Sequence, residues 1–160
     1  MKPEIVKILS KNARYSAKQI AQMTGKDEQE VKDEISQYER DGIIRGYKAV
    51  IDWEKMDGAY VSAIVELKVI PKADLGFEEV ARKVASYDEV ESVYLMSGAY
   101  DLNVVVKAKT LQQVANFVSK ELATLESVTG TATHFVMRRY KELDTVLCEE
   151  EPDEREKYFL

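Results

Sequence analysis

Cysteine occurs once in this 160-residue chain, at Cys148, so neither an internal disulfide nor a cysteine-rich metal site is available to it. Histidine also occurs once, at His134, and no paired carboxylates, nucleophile–base pair or metal-ligand spacing accompanies it. The expectation is therefore no catalytic centre, no metal and no cofactor. No apolar run approaches the length of a membrane span, so no membrane association is expected. The start, Met1-Lys2-Pro3-Glu4-Ile5, has no apolar signal core, which makes a cytoplasmic location the expectation. An excess of bases is missing too. The net charge is −6; residues 1–52 hold ten bases against nine acids, and residues 149–160 hold two against six. That is a weak electrostatic footprint for a polyanionic partner. What the chain does have is 45% hydrophobic residues, normal for a folded protein, and a length that fits one ordinary domain or two small ones.

The amino-terminal third reads as three helices. Ile5, Ile8 and Leu9 recur at helical spacing behind Pro3. Ser16 with Gln19 three residues on forms a capping-box pattern, and Ala17, Ile20, Ala21 and Met23 follow before the stop at Thr24-Gly25. A third helix is predicted from Asp27, with Val31, Ile35 and Tyr38 as its buried stripe and Gly42 as its end. Two short helices, a glycine turn and a longer helix make a helix-turn-helix, whose last helix enters a DNA groove.

That last helix is rich in acid, which opposes contact with a polyanion unless the acids point elsewhere. At about 100° per residue, the face opposite the buried stripe holds Lys26, Gln29, Asp33, Ser36, Gln37 and Arg40. Most acids fall on the flanks, and Asp27 and Glu28 sit where the helix dipole favours anions. Gln29 and Gln37 suit adenine edges, and Lys26 and Arg40 suit guanine or phosphate. Lys32 belongs with this reading helix, and Arg14 and Lys18 are candidates for phosphate contact. Taken singly, each of these phosphate-contact candidates fits ordinary solubilising surface charge better.

Ile43 to Ile51 is rich in β-formers and predicts a linker strand with no partner adjacent in sequence; the same strand of a second subunit would supply one. Beyond it the pattern is strand, helix, strand, strand, helix, strand. Strands are predicted over Tyr60–Val69, Val90–Met96, Tyr100–Lys107 and Val128–Tyr140, the last bending at Gly130. One helix carries Phe77, Val80, Ala81 and Val84 inward; the other follows Thr110 with Leu111, Val114, Ala115, Val118 and Leu122 inward. This order predicts an α+β chain with a ferredoxin-like βαββαβ plait after the helix-turn-helix. Ile64 and Val105 put apolar side chains on the sheet face away from the helices, so a second subunit is expected to cover it.

Asn12-Ala13-Arg14, Gly42-Ile43-Ile44-Arg45-Gly46-Tyr47, Gly58 and Ser97-Gly98-Ala99-Tyr100-Asp101, in this order and spacing, resemble the Lrp/AsnC family, the feast/famine transcription regulators, over about residues 3–143. The resemblance implies a winged-type helix-turn-helix over 1–45, a linker strand and connection over 46–57, a RAM-type ligand-sensing and oligomerisation domain over 58–143, and an acidic tail over 144–160. It implies three kinds of partner: double-stranded DNA, an amino acid or related small metabolite as effector, and further copies of the chain, as a homodimer or an octamer of four dimers. By the same likeness Gly98, Ala99, Tyr100 and Asp101, with Thr131 and Thr133, form the effector site. The chemistry is apt: Gly98 exposes backbone amides to a carboxylate, and Asp101 can pair an α-ammonium group. A plain β-turn, with Gly98 relieving strain and Asp101 capping backbone, accounts for the same residues.

Two other functions compete. A siroheme-decarboxylase-like enzyme would use His134 with Arg138 and Arg139 around a polycarboxylate macrocycle. A metabolite-sensing oligomer that has lost DNA binding would show no salt-dependent affinity for duplex. At the end of the chain Tyr158, Phe159 and Leu160 are three apolar residues after an acidic run, expected either to be solvated or to dock on a neighbouring subunit.

Overall fold

The computed structural model describes residues 4–56, 58–71 and 76–148. The expected docking of Tyr158, Phe159 and Leu160 lies outside them. The chain divides into two compact units, residues 1–50 and 51–160.

In the first unit, helix α1 (Glu4–Lys11), α2 (Ala17–Thr24) and α3 (Glu28–Arg40) close around Ile5, Leu9, Ile20, Ala21, Val31 and Tyr38. The ends of the helices are fixed by side chains the sequence announces. Ser16 and Gln19 make the full capping box on α2, and Gly25 ends it at φ +70°. Asp27 caps α3 through the Gln29 N–H at 2.7 Å. At its far end Gly42, at φ +67°, donates to the Glu39 carbonyl, and Ile43 donates to the Tyr38 carbonyl. Those two bonds are a Schellman closure and require the left-handed conformation that glycine adopts without strain.

The linker strand expected over 43–51 was to pair with the same strand of a second subunit, and within one chain it finds no ladder. Residues 45–52 carry no regular structure, and no segment among the described residues pairs with them. The physical reason is that a strand needs a ladder partner. Instead this stretch is tied back to α3: the Tyr47 hydroxyl donates to Glu39 at 2.9 Å, and Arg45 Nε donates to the Gly42 carbonyl at 2.8 Å.

In the second unit, β1 (Val61–Val69), α4 (Glu78–Ala85), β2 (Val90–Leu95), β3 (Leu102–Ala108), α5 (Leu111–Phe117) and β4 (Val128–Phe135) form the plait. The sheet is antiparallel with order β2-β3-β1-β4. One face packs on α4 and α5 through Ala63, Val65, Leu67, Val80, Val84, Leu102, Val104, Val106, Val114, Phe117 and Leu122. The other face shows Ile64 opposite Val105 and His134, with Tyr94 at 55% exposure. Among the described residues no element of this unit covers it.

Three details depart from the expected pattern. α5 continues through Val118–Leu122 as a π-helical turn, closed by the Ala123 N–H on the Val118 carbonyl at 2.8 Å. Phe117 is buried, whereas Leu111 and Ala115, both expected inward, are exposed. β4 stops at Phe135 rather than Tyr140. A short hairpin follows, β5 (Lys141–Glu142) with β6 (Thr145–Val146), turned by Leu143 and Asp144 at positive φ. The irregularity expected at Gly130 is present: the β1–β4 register slips where Lys68 faces Gly130 and Val69 faces Val128.

Candidate DNA-reading and effector sites

On α3 the buried stripe is Val31 and Tyr38, with Ile35 half-buried. Opposite it, Gln29, Lys32, Asp33 and Arg40 are exposed, while Ser36 and Gln37 are half-buried. The outward groups are bonded to one another. Gln29 Nε2 donates to Asp33 at 3.0 Å, Gln37 Nε2 donates to Asp41 at 2.6 Å, and Arg40 Nη2 donates to Gln37 at 2.7 Å. Lys32 pairs with Glu28 at 2.6 Å. Lys26 turns its ammonium to Glu34, with Glu30 at 3.6 Å, and is half-buried rather than fully outward. Its hydrogen bond to Glu34 holds its pKa above the usual lysine range, against partial desolvation, with Glu30 adding to the rise. Arg14 and Lys18 are exposed on the surface of the same unit.

Tyr47 was legible only as part of a motif, and its contact with Glu39 was not foreseen. Burial, then the Glu39 hydrogen bond, push its pKa up. A tyrosine eight residues beyond an acid on a helix gives no local signal for such a bond.

In the second unit the turn before β3 is pinned to β1. Asp101 N–H donates to the Leu67 carbonyl at 3.0 Å, and the Asp101 carboxylate accepts the Val69 N–H at 2.8 Å. Lys68 Nζ donates to the Ala99 carbonyl at 3.2 Å and lies 3.3 Å from Asp101 Oδ2. The Val69 N–H and then Lys68 hold the Asp101 carboxyl below the usual aspartate range, against some desolvation. Gly98 is exposed, its φ is not positive, and a Cβ added there would meet nothing within 4 Å. Strain relief is therefore not what glycine does at this position; what it leaves is open backbone.

Asp101 reaches Lys68, on the sheet face of Ile64 and Glu66. Thr131 and Thr133 stand opposite Leu67 and Val65, on the helix-covered face, and are half-buried. Within one subunit the structure brings Gly98, Ala99, Tyr100 and Asp101 together but does not join them to the two threonines.

The comparisons with known proteins bear on both units. The Lrp/AsnC ligand binding domain matches residues 62–146, and a winged helix-turn-helix DNA-binding domain matches residues 2–45. The chain belongs to the Lrp/AsnC family of transcriptional regulators. The HTH-type transcriptional regulator YugG of Bacillus subtilis strain 168 is 48% identical over 139 residues, covering 86% of this chain and 84% of that protein. The transcriptional regulator FL11 of Pyrococcus furiosus is 31% identical, covering 87% and 89%. Among solved structures, that of the transcriptional regulator NMB0573 from Neisseria meningitidis in complex with L-Met superposes with a TM-score of 0.69 at 21% identity, over 87% of this chain and 89% of that one. At that identity the likeness carries the fold alone. Family membership makes this Lrp/AsnC chain a regulator with a DNA-binding helix-turn-helix and a ligand-binding plait, and its relatives are regulators rather than enzymes. No helix among the described residues is long and apolar enough to cross a membrane.

Proposed function

We propose that this Lrp/AsnC protein is a cytoplasmic homo-oligomer that reads a specific duplex sequence with the outward face of α3 and responds to an amino acid or a closely related metabolite. Lys26, Gln29, Lys32, Asp33, Ser36, Gln37 and Arg40 are the reading set, with Arg14 and Lys18 on phosphates. The observation that supports it best is the α3 face itself: Gln29, Gln37 and Arg40 project from a helix fixed at both ends by caps, where side chains must be rigidly presented to base edges. The oligomer is a homodimer closed over the open sheet face of Ile64, Tyr94 and Val105, and dimers associate further into the octamer.

The effector site comprises Gly98, Ala99, Tyr100, Asp101, Thr131 and Thr133. Since the turn and the threonines lie on opposite sheet faces, a complete site takes the turn from one subunit and the threonines from another. Ligand binding is then linked to how subunits are spaced, and so to the spacing of reading helices on DNA. The L-Met bound by the Neisseria relative supports an amino acid as the ligand class.

Calorimetric titration of the common amino acids into wild type and Asp101→Ala tests the site. At least one amino acid should bind wild type and lose at least about tenfold in affinity in the variant, the loss expected for a charge-assisted bond. Equal binding by both proteins would refute the pocket.

A further inference from the structure

We propose that the cleft between residues 52–55 and the segment after β4 is a second binding site, which takes a small organic carboxylate through Arg138. The cleft encloses about 600 Å³, within the range of small-molecule sites. None of Gly98, Tyr100, Asp101, Thr131 or Thr133 lines it.

Most charges in its wall satisfy one another. Lys55 Nζ lies 4.0 Å from Asp52, whose other oxygen accepts the Glu54 N–H at 3.2 Å. Glu54 accepts the Arg139 N–H at 3.3 Å, and the Arg139 guanidinium donates to the Ser62 hydroxyl and lies 3.8 Å from Glu142. Arg138 differs. Its guanidinium lies over the Tyr140 ring, 5.1 Å from the centroid, and pairs with no acid among the described residues. A guanidinium stacked on an aromatic face keeps its in-plane N–H groups free, and their fork matches the two oxygens of a carboxylate. Tyr140 and Leu147 supply apolar surface for the body of such a ligand, and the Cys148 thiol adds a soft, weakly polar edge. In a chain of net charge −6, an acid-free guanidinium beside a cleft is not one charge among many on a basic surface.

Cys148 is the chain's single thiol and lines this cleft, so its labelling reports on the site in the full-length protein. The probe is dithiobis-nitrobenzoate, an aromatic disulfide carrying two carboxylates. The Cys148 thiolate attacks one sulfur, a mixed disulfide forms, and one nitrothiobenzoate anion leaves. Neutral dithiodipyridine reacts by the same exchange without a carboxylate. Arg138→Gln should slow the anionic reagent about tenfold, the loss of a charge-assisted bond, relative to the neutral one. Because the neutral reagent is measured on the same variant, general unfolding or a changed thiolate fraction would move both rates together. Millimolar benzoate should protect Cys148 from the anionic reagent in wild type but not in Arg138→Gln, and benzamide should protect neither. An unchanged rate ratio, a thiol unreactive to both reagents, or benzoate without effect would each overturn the proposal.

Discussion

On the proposed reading face, Gln29 and Gln37 are hydrogen-bonded to acids one turn on and Lys26 to an acid two turns on, so a duplex must displace those partners. Gln29 is held by Asp33, Gln37 by Asp41, and Lys26 by Glu34. On that proposed face the acids limit affinity for a phosphate backbone and hold Gln29 and Gln37 until a duplex displaces them. Glu34→Gln should release Lys26 for a phosphate: non-specific duplex affinity rises about two- to threefold at low salt, and the salt slope grows by about one. Fluorescence anisotropy across a salt series with an unrelated duplex checks this; an unchanged slope would mean that Lys26 never reaches the backbone. Asp101 makes a different prediction. Its carboxyl is held below the usual range by the Val69 N–H and Lys68. A depressed folded-state pKa stabilises the fold fully above the unfolded value, near 3.8, and that stabilisation is lost as pH falls through the lowered folded value. The difference in Tm between wild type and Asp101→Asn should thus be constant near neutrality and shrink in strong acid. A difference independent of pH down to acid unfolding would contradict it.

At the scale of elements, the sequence was most legible where one local pattern sufficed. Ser16 with Gln19, Gly25, Asp27 and Gly42 each mark a helix end by their own chemistry, and each is found at that end. The plait followed from alternation and helical spacing, because both core-facing sets are strictly periodic. Legibility failed where the structure depends on something beyond the window. The 43–51 stretch has strand-forming residues but no partner in its own chain. On α5 apolar residues stand on both sides of the Val114–Val118 line, and packing buries Phe117 rather than Leu111 and Ala115. The proposed effector residues were legible only through family likeness, and the opposite facing of Asp101 and the threonines needed the strand register. Among the caps, Ser16→Ala should cost the amino-terminal unit about 1 kcal/mol by removing the hydroxyl that accepts the Gln19 N–H, the side-chain half of the capping box. Chemical denaturation followed by helical circular dichroism measures it; no shift in midpoint would show that tertiary packing alone sets the start of α2.

For the whole molecule, we propose that an acid-rich, self-bonded helix still reads DNA once several copies act together. Each subunit contributes few free bases, and linked binding raises effective concentration without new contacts. In the proposed oligomer the same arrangement would give a ligand its leverage, since whatever shifts the subunits would shift the reading helices. The direct test is selection of duplexes from random sequence by the wild-type protein, followed by titration of the selected duplex with wild type and with Gln29→Ala combined with Arg40→Ala. The account predicts a discrete selected sequence, salt-dependent binding by wild type, and a double variant whose affinity for that duplex falls to its affinity for unrelated DNA. Failure to enrich any sequence at low salt, or retention of the selected affinity by the double variant, would contradict it.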